Sequence, residues 1–279
     1  MAFGQQKKIK MTTDGYLPTG TRHFGAVNWL GVWTLYKKEV QRFIKVGIQT
    51  IVAPVVSMLL FLVIFKLALG RYRPDINGIP FADFLAPGLI MMAILTNAFA
   101  NSSSSIMMAK IQGNMVDVLM PPLSPWELTF GYVMGATTRG IIVAIATALA
   151  MVPLVDFDVV HWWAVVYFAV SASLLLSQIG VVAGIWADKF DHMAVITNFL
   201  ITPLIFLSGT FYSVRILPDY FFFISQGNPF FYLIDGFRYG VIGQSDGSVF
   251  VGVVSVLVLN IVMAVTCYLV FKSGYKLKT

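Results

Sequence analysis

The sequence predicts an all-α membrane protein: six transmembrane helices preceded by an amphipathic interfacial helix, with a re-entrant helical segment between helices five and six. Three observations predict it. Of 279 residues, 58% are hydrophobic and only 11% charged, whereas an ordinary soluble domain carries about 25% charged residues. Apolar runs of the length a bilayer-spanning helix needs, about 20 residues, recur along the chain. Lys and Arg are distributed unevenly between alternate loops.

Residues 1–27 read as a cytoplasmic tail, polar, with Lys7, Lys8 and Lys10 and without the apolar stretch of a signal peptide. Residues 28–279 read as one transmembrane domain. From Asn28 to Val46, Trp29, Trp33, Tyr36, Val40 and Phe43 recur at helical spacing, while Thr34, Lys38, Gln41, Arg42 and Lys45 fall opposite. Such a helix lies in the membrane interface, with its aromatics at headgroup level and its cations near anionic lipid. The same pattern also suits a helix that docks a partner protein, and both readings stand.

The first span runs from about Gly47 to Leu69, with Lys66 near its far end placed to snorkel. After a polar loop, Phe84 to Met108 forms the second span, with a late polar stripe at Asn97, Asn101 and Ser102 to Ser105 that needs partners inside a bundle. Ser124, Pro125 and Glu127 spell a helix start: N-cap, first-turn proline and capping box. The third span therefore begins there and reaches about Val155. The fourth runs from His161 to Trp186, the fifth from Met193 to Tyr212 and the sixth from Val249 to Phe271.

Orientation follows from the cations. With a cytoplasmic N-terminus, thirteen Lys and Arg outside the spans lie on the cytoplasmic side and four on the external side, namely Arg71, Arg73, Arg215 and Arg238. Both termini are then cytoplasmic and the span number even. Scattered over loops, this positive charge is topological and implies no nucleic-acid partner.

Catalytic signals are missing. No Gly-x-x-x-x-Gly-Lys-[Ser/Thr] loop occurs, so the chain holds no nucleotide in that manner. His23, His161 and His192 lack metal-ligand spacing, and Cys267 reads as a packing residue. A membrane enzyme would need a nucleophile and base, or an acidic metal cluster, at membrane depth, and neither is found. Arg139 is the exception within the bilayer, twelve residues beyond Glu127 and thus about 18 Å along the helix. It reads equally as a substrate or gating contact and as a hydrogen-bond hub. Gly131/Gly135 and Gly180/Gly184 carry the four-residue spacing of close helix approach, within the bundle by default.

The last external segment is the most informative. Leu207-Ser208-Gly209-Thr210-Phe211-Tyr212, Leu217-Pro218, Asn228-Pro229-Phe230-Phe231-Tyr232 and Asp235-Gly236-Phe237-Arg238-Tyr239-Gly240 follow in order. Rich in Phe and Tyr and broken by Pro218 and Pro229, it is too apolar for a free loop and predicts short helices dipping into the outer leaflet.

This ordered set resembles the signature of the ABC type-2 permease family. Ala86-Pro87-Gly88 and Val118-Leu119-Met120-Pro121-Pro122-Leu123-Ser124 extend the likeness over nearly the whole chain after the tail. Within the family the pattern is similar to the YadH-like inner-membrane permeases of bacteria. The resemblance implies an exporter permease of the bacterial inner membrane, acting as a homodimer with separate ABC ATP-binding subunits. No cofactor is bound by this chain; ATP and Mg sit on the partner. It implies an ATPase-coupling interface at Lys38, Glu39, Arg42, Gln112 and Asp117, between the interfacial helix and the loop Lys110 to Met120. It also implies a dimer interface and translocation path on the first, second and fifth spans, with Asn97, Asn101, Thr202 and Phe206 as candidates. Asn228, Pro229, Tyr232 and Arg238 mark the external re-entrant motif. The resemblance implies a hydrophobic, lipidic or glycan-type cargo, and the few charges within the spans favour an amphipathic or lipidic one over a small ion. A secondary transporter or channel without an ATPase remains the competing reading.

Overall fold

Helix boundaries follow local chemistry. The computed structural model describes residues 27–69, 75–76 and 78–277; the expected tail up to residue 26, Arg71, Arg73 and Lys278 lie outside them. Helix α1 (Trp29–Lys45) is capped by Asn28, whose side chain accepts from the Gly31 N–H at 3.0 Å. A π-helical turn (Ile48–Val52) leads into α2 (Ala53–Leu69). A two-residue hairpin, β1 (Asp75–Ile76) against β2 (Ile79–Pro80), precedes α3 (Phe81–Ile111), the short α4 (Met115–Leu119), α5 (Pro125–Met151) and α6 (Trp162–Trp186). Next come α7 (Phe190–Ile196), a second π turn (Thr197–Ile201) and α8 (Thr202–Leu207). A 3₁₀ turn (Val214–Ile216), α9 (Asp219–Gln226), α10 (Pro229–Ile242) and α11 (Val249–Ser273) complete the order.

Among the described residues, six helices are long and apolar enough to cross a membrane. The expected capping box forms: Ser124 Oγ accepts from the Glu127 N–H, and the Glu127 carboxylate accepts from the Ser124 N–H. Both π turns sit just before a proline. Pro54 offers no N–H to the Thr50 carbonyl, and the ladder widens so that the Ala53 N–H reaches Ile48 O. Pro203 acts alike, and the Thr202 N–H reaches Thr197 O. The first and fifth spans thus carry matching weak points.

Helix α3 is the axis of the bundle. Its most apolar window is 89% buried, against 11% for the first span and 17% for the fifth, and it packs on α2, α5, α6 and α10. This corrects the expectation that the second span lies at a dimer interface: it is the core of its own subunit. Small residues allow the close approach. Gly180 sits on Ser102 and the Phe99 backbone, and a Cβ at Gly184 would meet Ser103 O at 2.9 Å. Gly131 and Gly135 instead seat α1 on α5, where a Cβ would meet Leu35 at 2.6 Å and Glu39 at 2.5 Å. Both glycine pairs therefore pack within one chain. The serine run stays satisfied because Ser102, Ser103 and Ser104 donate to carbonyls of their own helix.

Candidate functional site

Three helix ends meet where α1 crosses the start of α5. The Glu127 carboxylate is a joint: one oxygen accepts from the Asn28 N–H and the other from the Ser124 N–H, each at 2.5 Å. Asn28 Nδ2 adds a bond to Pro122 O at 3.3 Å. Beside this joint, α1 and the α4 segment enclose a groove of about 570 Å³ lined by Thr34, Lys38, Asn114, Asp117 and Leu123 among others. Lys38, Gln112 and Asp117, all expected at the coupling interface, are exposed. So are the apolar Val116 and Met120 of the same loop, the latter 77% exposed.

Glu39 is buried away from that surface, which corrects its expected placement, while Arg42 keeps a third of its side chain exposed. The buried stripe of α1 is Val32, Leu35, Glu39 and Phe43, while Trp29 and Trp33 face outward. Glu39 is fully buried. Its carboxylate accepts from Ser105 Oγ at 2.8 Å and lies 3.4 Å from Arg42 Nε. Arg42 donates to Asn101 O at 2.6 Å, Asn101 Oδ1 at 2.9 Å and Ser104 Oγ at 3.3 Å. A buried carboxylate persists as an ion only when paired and hydrogen-bonded, and these partners all lie on α1 and α3. The pair ties α1 to the axial helix, and the buried Glu39 carboxylate is out of reach of a second protein.

Two of the expected path residues are likewise structural in this conformation. Asn101, fully buried, holds Arg42, and Asn97 Oδ1 accepts from Arg139 at 2.9 Å. No carboxylate among the described residues lies within 4 Å of Arg139, and its Nε is unbonded. Thr202 is half-buried and Phe206 exposed on α8, with Phe199 and Leu200 beside them. Asn198, inside the second π turn, is exposed, and its carboxamide makes no hydrogen bond among the described residues.

At the opposite end of the bundle the signature residues converge. Asn228 caps α10 through the Phe230 N–H, and its Nδ2 donates to Leu204 O and Ser208 Oγ, each at 2.8 Å. Arg238, 2% exposed, donates to Gly209 O at 2.6 Å and lies 4.1 Å over the Phe84 ring. A Cβ on Gly88 would collide with Thr210 O, so Ala86-Pro87-Gly88 and the Ser208–Thr210 turn read as one contact. Pro229 opens α10, and Tyr232 packs over Gly252 of α11. Arg238 is therefore no external loop cation. Its pairing explains a signature that spacing alone could only put in order.

The ends of the segment are locked by acids. Asp235 accepts from the Asp246 and Gly247 N–H groups at 2.7 and 2.9 Å, and burial pushes its carboxyl up against the pull of those donors. Asp246 in turn accepts from Ser213 Oγ and the Val214 N–H.

Beside the groove, two lysines cap α6. Lys110 donates to Ile185 O and Ala187 O, and Lys276 donates to Trp186 O and to Asp188 at 2.6 Å. The hydrogen bond from Lys276 holds the Asp188 carboxyl below its usual range, and the same bond raises Lys276. Lys66, expected to snorkel, donates instead to Leu154 O at the end of α5.

The family model described as ABC-2 type transporter matches residues 31–242. The chain is 36% identical over 242 residues to the inner membrane transport permease YadH of Escherichia coli (strain K12), covering 87% of this chain and 93% of that protein. It is 24% identical over 229 residues to Nodulation protein J of Rhizobium leguminosarum bv. viciae, covering 81% and 86% respectively.

Proposed function

This chain belongs to the ABC-2 type transporter family, as a multi-pass transport permease, and we propose that it couples ATP hydrolysis by a separate ABC subunit to export of a hydrophobic, lipidic or glycan substrate. The observation that carries the reading is the groove between α1 and α4. It lies outside the spans and is rimmed by the opposite charges of Lys38 and Asp117, and the α4 segment beside it exposes Val116 and Met120. Exposed apolar side chains on a polar rim are what a partner surface requires.

The mechanism follows from what the groove is bonded to. Closing ATPase subunits press on α1 and α4. Helix α1 is fixed to α5 through Glu127 and to α3 through Glu39 and Arg42. Force therefore reaches α3, the most buried helix, as a rigid-body push rather than a local bend. Helix α3 then moves Arg139 through Asn97 and the outer segment through Phe84 and Gly88.

In this account both termini are cytoplasmic, α1 lies in the cytoplasmic interface, and α9 and α10 enter the outer leaflet. A second copy covers α2 and the α7–α8 span, and the path runs along Thr202 and Phe206 between copies. Asn198 supports that interface, because an exposed carboxamide at membrane depth is expensive in lipid and finds partners against another helix. ATP and Mg bind only the partner.

The test uses the buried Cys267 as a silent background. A single cysteine at Asp117 should crosslink to the ATP-binding subunit in native membranes, and one at Phe250 should not. Equal labelling of the ATPase from both positions, or from neither, contradicts the docking proposal.

A further inference from the structure

A second opening lies on the other side of α1. Helices α1, α5, α6 and α11 leave a cleft of about 520 Å³ whose walls include Trp29, Phe130, Met134, Leu174 and Ala264. An apolar cleft at this depth meets acyl chains wherever a bilayer surrounds it, so the walls alone define no site. Two further features do.

The first is Gln178, which lines the cleft. It is 6% exposed, its Oε1 is buried without a donor, and its carboxamide makes no hydrogen bond among the described residues. An unpaired buried carboxamide is costly, and it offers a donor and an acceptor to whatever enters. Glu127 also borders the cleft, but both its oxygens are committed to backbone N–H groups.

The second is the mouth. Ala264, Tyr268 and Lys272 follow one another at four-residue spacing on α11, which puts them on one face. The Tyr268 ring stacks on Trp126, another wall residue, with centroids 4.5 Å apart. Lys272 Nζ sits 5.6 Å from the Tyr268 ring centre, is exposed, and has no carboxylate within 4 Å among the described residues. Aromatic rings at headgroup level with a free cation outside them match the layers of an anionic phospholipid: phosphate, ester, chain.

We propose that this cleft binds an anionic phospholipid of the leaflet bordering α1, with the phosphate at Lys272, the glycerol ester within reach of Gln178, and an acyl chain wedged between α1 and α5. The lipid fills the space behind α1 and holds it against the bundle. The site requires no ATPase.

The experiment is native mass spectrometry of the full chain, purified in mild detergent and offered phosphatidylglycerol or phosphatidylcholine. Wild type should retain one phosphatidylglycerol in preference to phosphatidylcholine. Lys272→Ala, a surface change, should reduce that preference about fivefold, equivalent to about 1 kcal/mol for one basic side chain near an anionic surface. Gln178→Leu should lower retention of either lipid, and Ala264→Trp should abolish it by filling the cleft. Equal retention of the two lipids by wild type overturns the proposal. So does unchanged preference in Lys272→Ala together with unchanged retention in Gln178→Leu. A dimer that carries no lipid and falls apart with Ala264→Trp also overturns it, since a second copy would then be the occupant.

Discussion

Replacing Glu127 by Ala removes the acceptor of two backbone N–H groups, those of Asn28 and Ser124, in a side-chain position only 9% exposed. Hydrogen bonds to a charged group contribute about 1.5 to 3 kcal/mol each, so the loss of two should be about 3 to 6 kcal/mol. For a chain of this size each kcal/mol lowers the unfolding midpoint by about 2 to 4 °C, giving a drop of roughly 10 °C. Glu127→Gln retains one acceptor oxygen and should lose about half as much. The assay is a thiol-reactive fluorogenic dye, because the lone cysteine, Cys267, is fully buried and labels only on unfolding. The damage should also be local first: a cysteine introduced at Leu35, buried against Gly131 of α5, should become reactive well below the midpoint as α1 lifts from α5. If Glu127→Ala melts within 2 °C of the native chain, the joint is not held by this carboxylate.

Three further outcomes follow from the same bonds. Asn97→Ala strands the Arg139 cation at membrane depth and should destabilise the chain by about 2 kcal/mol or more, whereas adding Arg139→Met should recover most of the loss; additive losses in the same dye assay would show that the two do not depend on each other. Gly88→Ala pushes a methyl into Thr210 O and should disrupt the outer segment, read as faster proteolysis between α8 and α10, while Gly47→Ala, whose Cβ meets nothing within 4 Å, should be silent there. The Asp188–Lys276 latch has a pH window set by its signs: the lowered Asp188 contributes above the ordinary carboxylate pKa and is lost as pH falls through its folded value, and the raised Lys276 contributes below the ordinary ammonium pKa and is lost as pH rises through its own. The gap in midpoint between native and Asp188→Asn chains should therefore stay constant from about pH 5 to 9 and shrink progressively as pH falls below about 4; a gap that does not shrink there rules the latch out.

What was legible in the sequence was local. Apolar length places the spans, and Ser124, Pro125 and Glu127 mark the start of α5 because a capping box needs only neighbouring residues. The ordered signature near Asn228 and Arg238 was readable as order but not as contact, since its pieces meet only when Ser208, Gly209 and Gly88 fold onto one spot. Helix α1 reads in sequence as two-sided. It has a third side, where Gly135 makes room for Glu39, and a carboxylate facing a glycine on another helix leaves no periodic trace. Asn97 and Asn101 were recognised as needing partners, but a sequence does not say whether a partner is an arginine in the same chain or a passing substrate. The π turns have a visible cause in Pro54 and Pro203, each inside an apolar run.

The central claim is that this permease works through an ATPase seated on the α1–α4 groove. The most direct measurement is a mild-detergent pull-down of the tagged chain from its native membrane, with vanadate-sensitive ATP hydrolysis measured on the eluate beside an Asp117→Lys chain. The account predicts a stoichiometric ATP-binding protein and hydrolysis with the native chain, and loss of one or both with the reversed charge while the permease itself stays folded. A native chain that elutes alone and inactive would contradict it and favour a transporter driven without ATP.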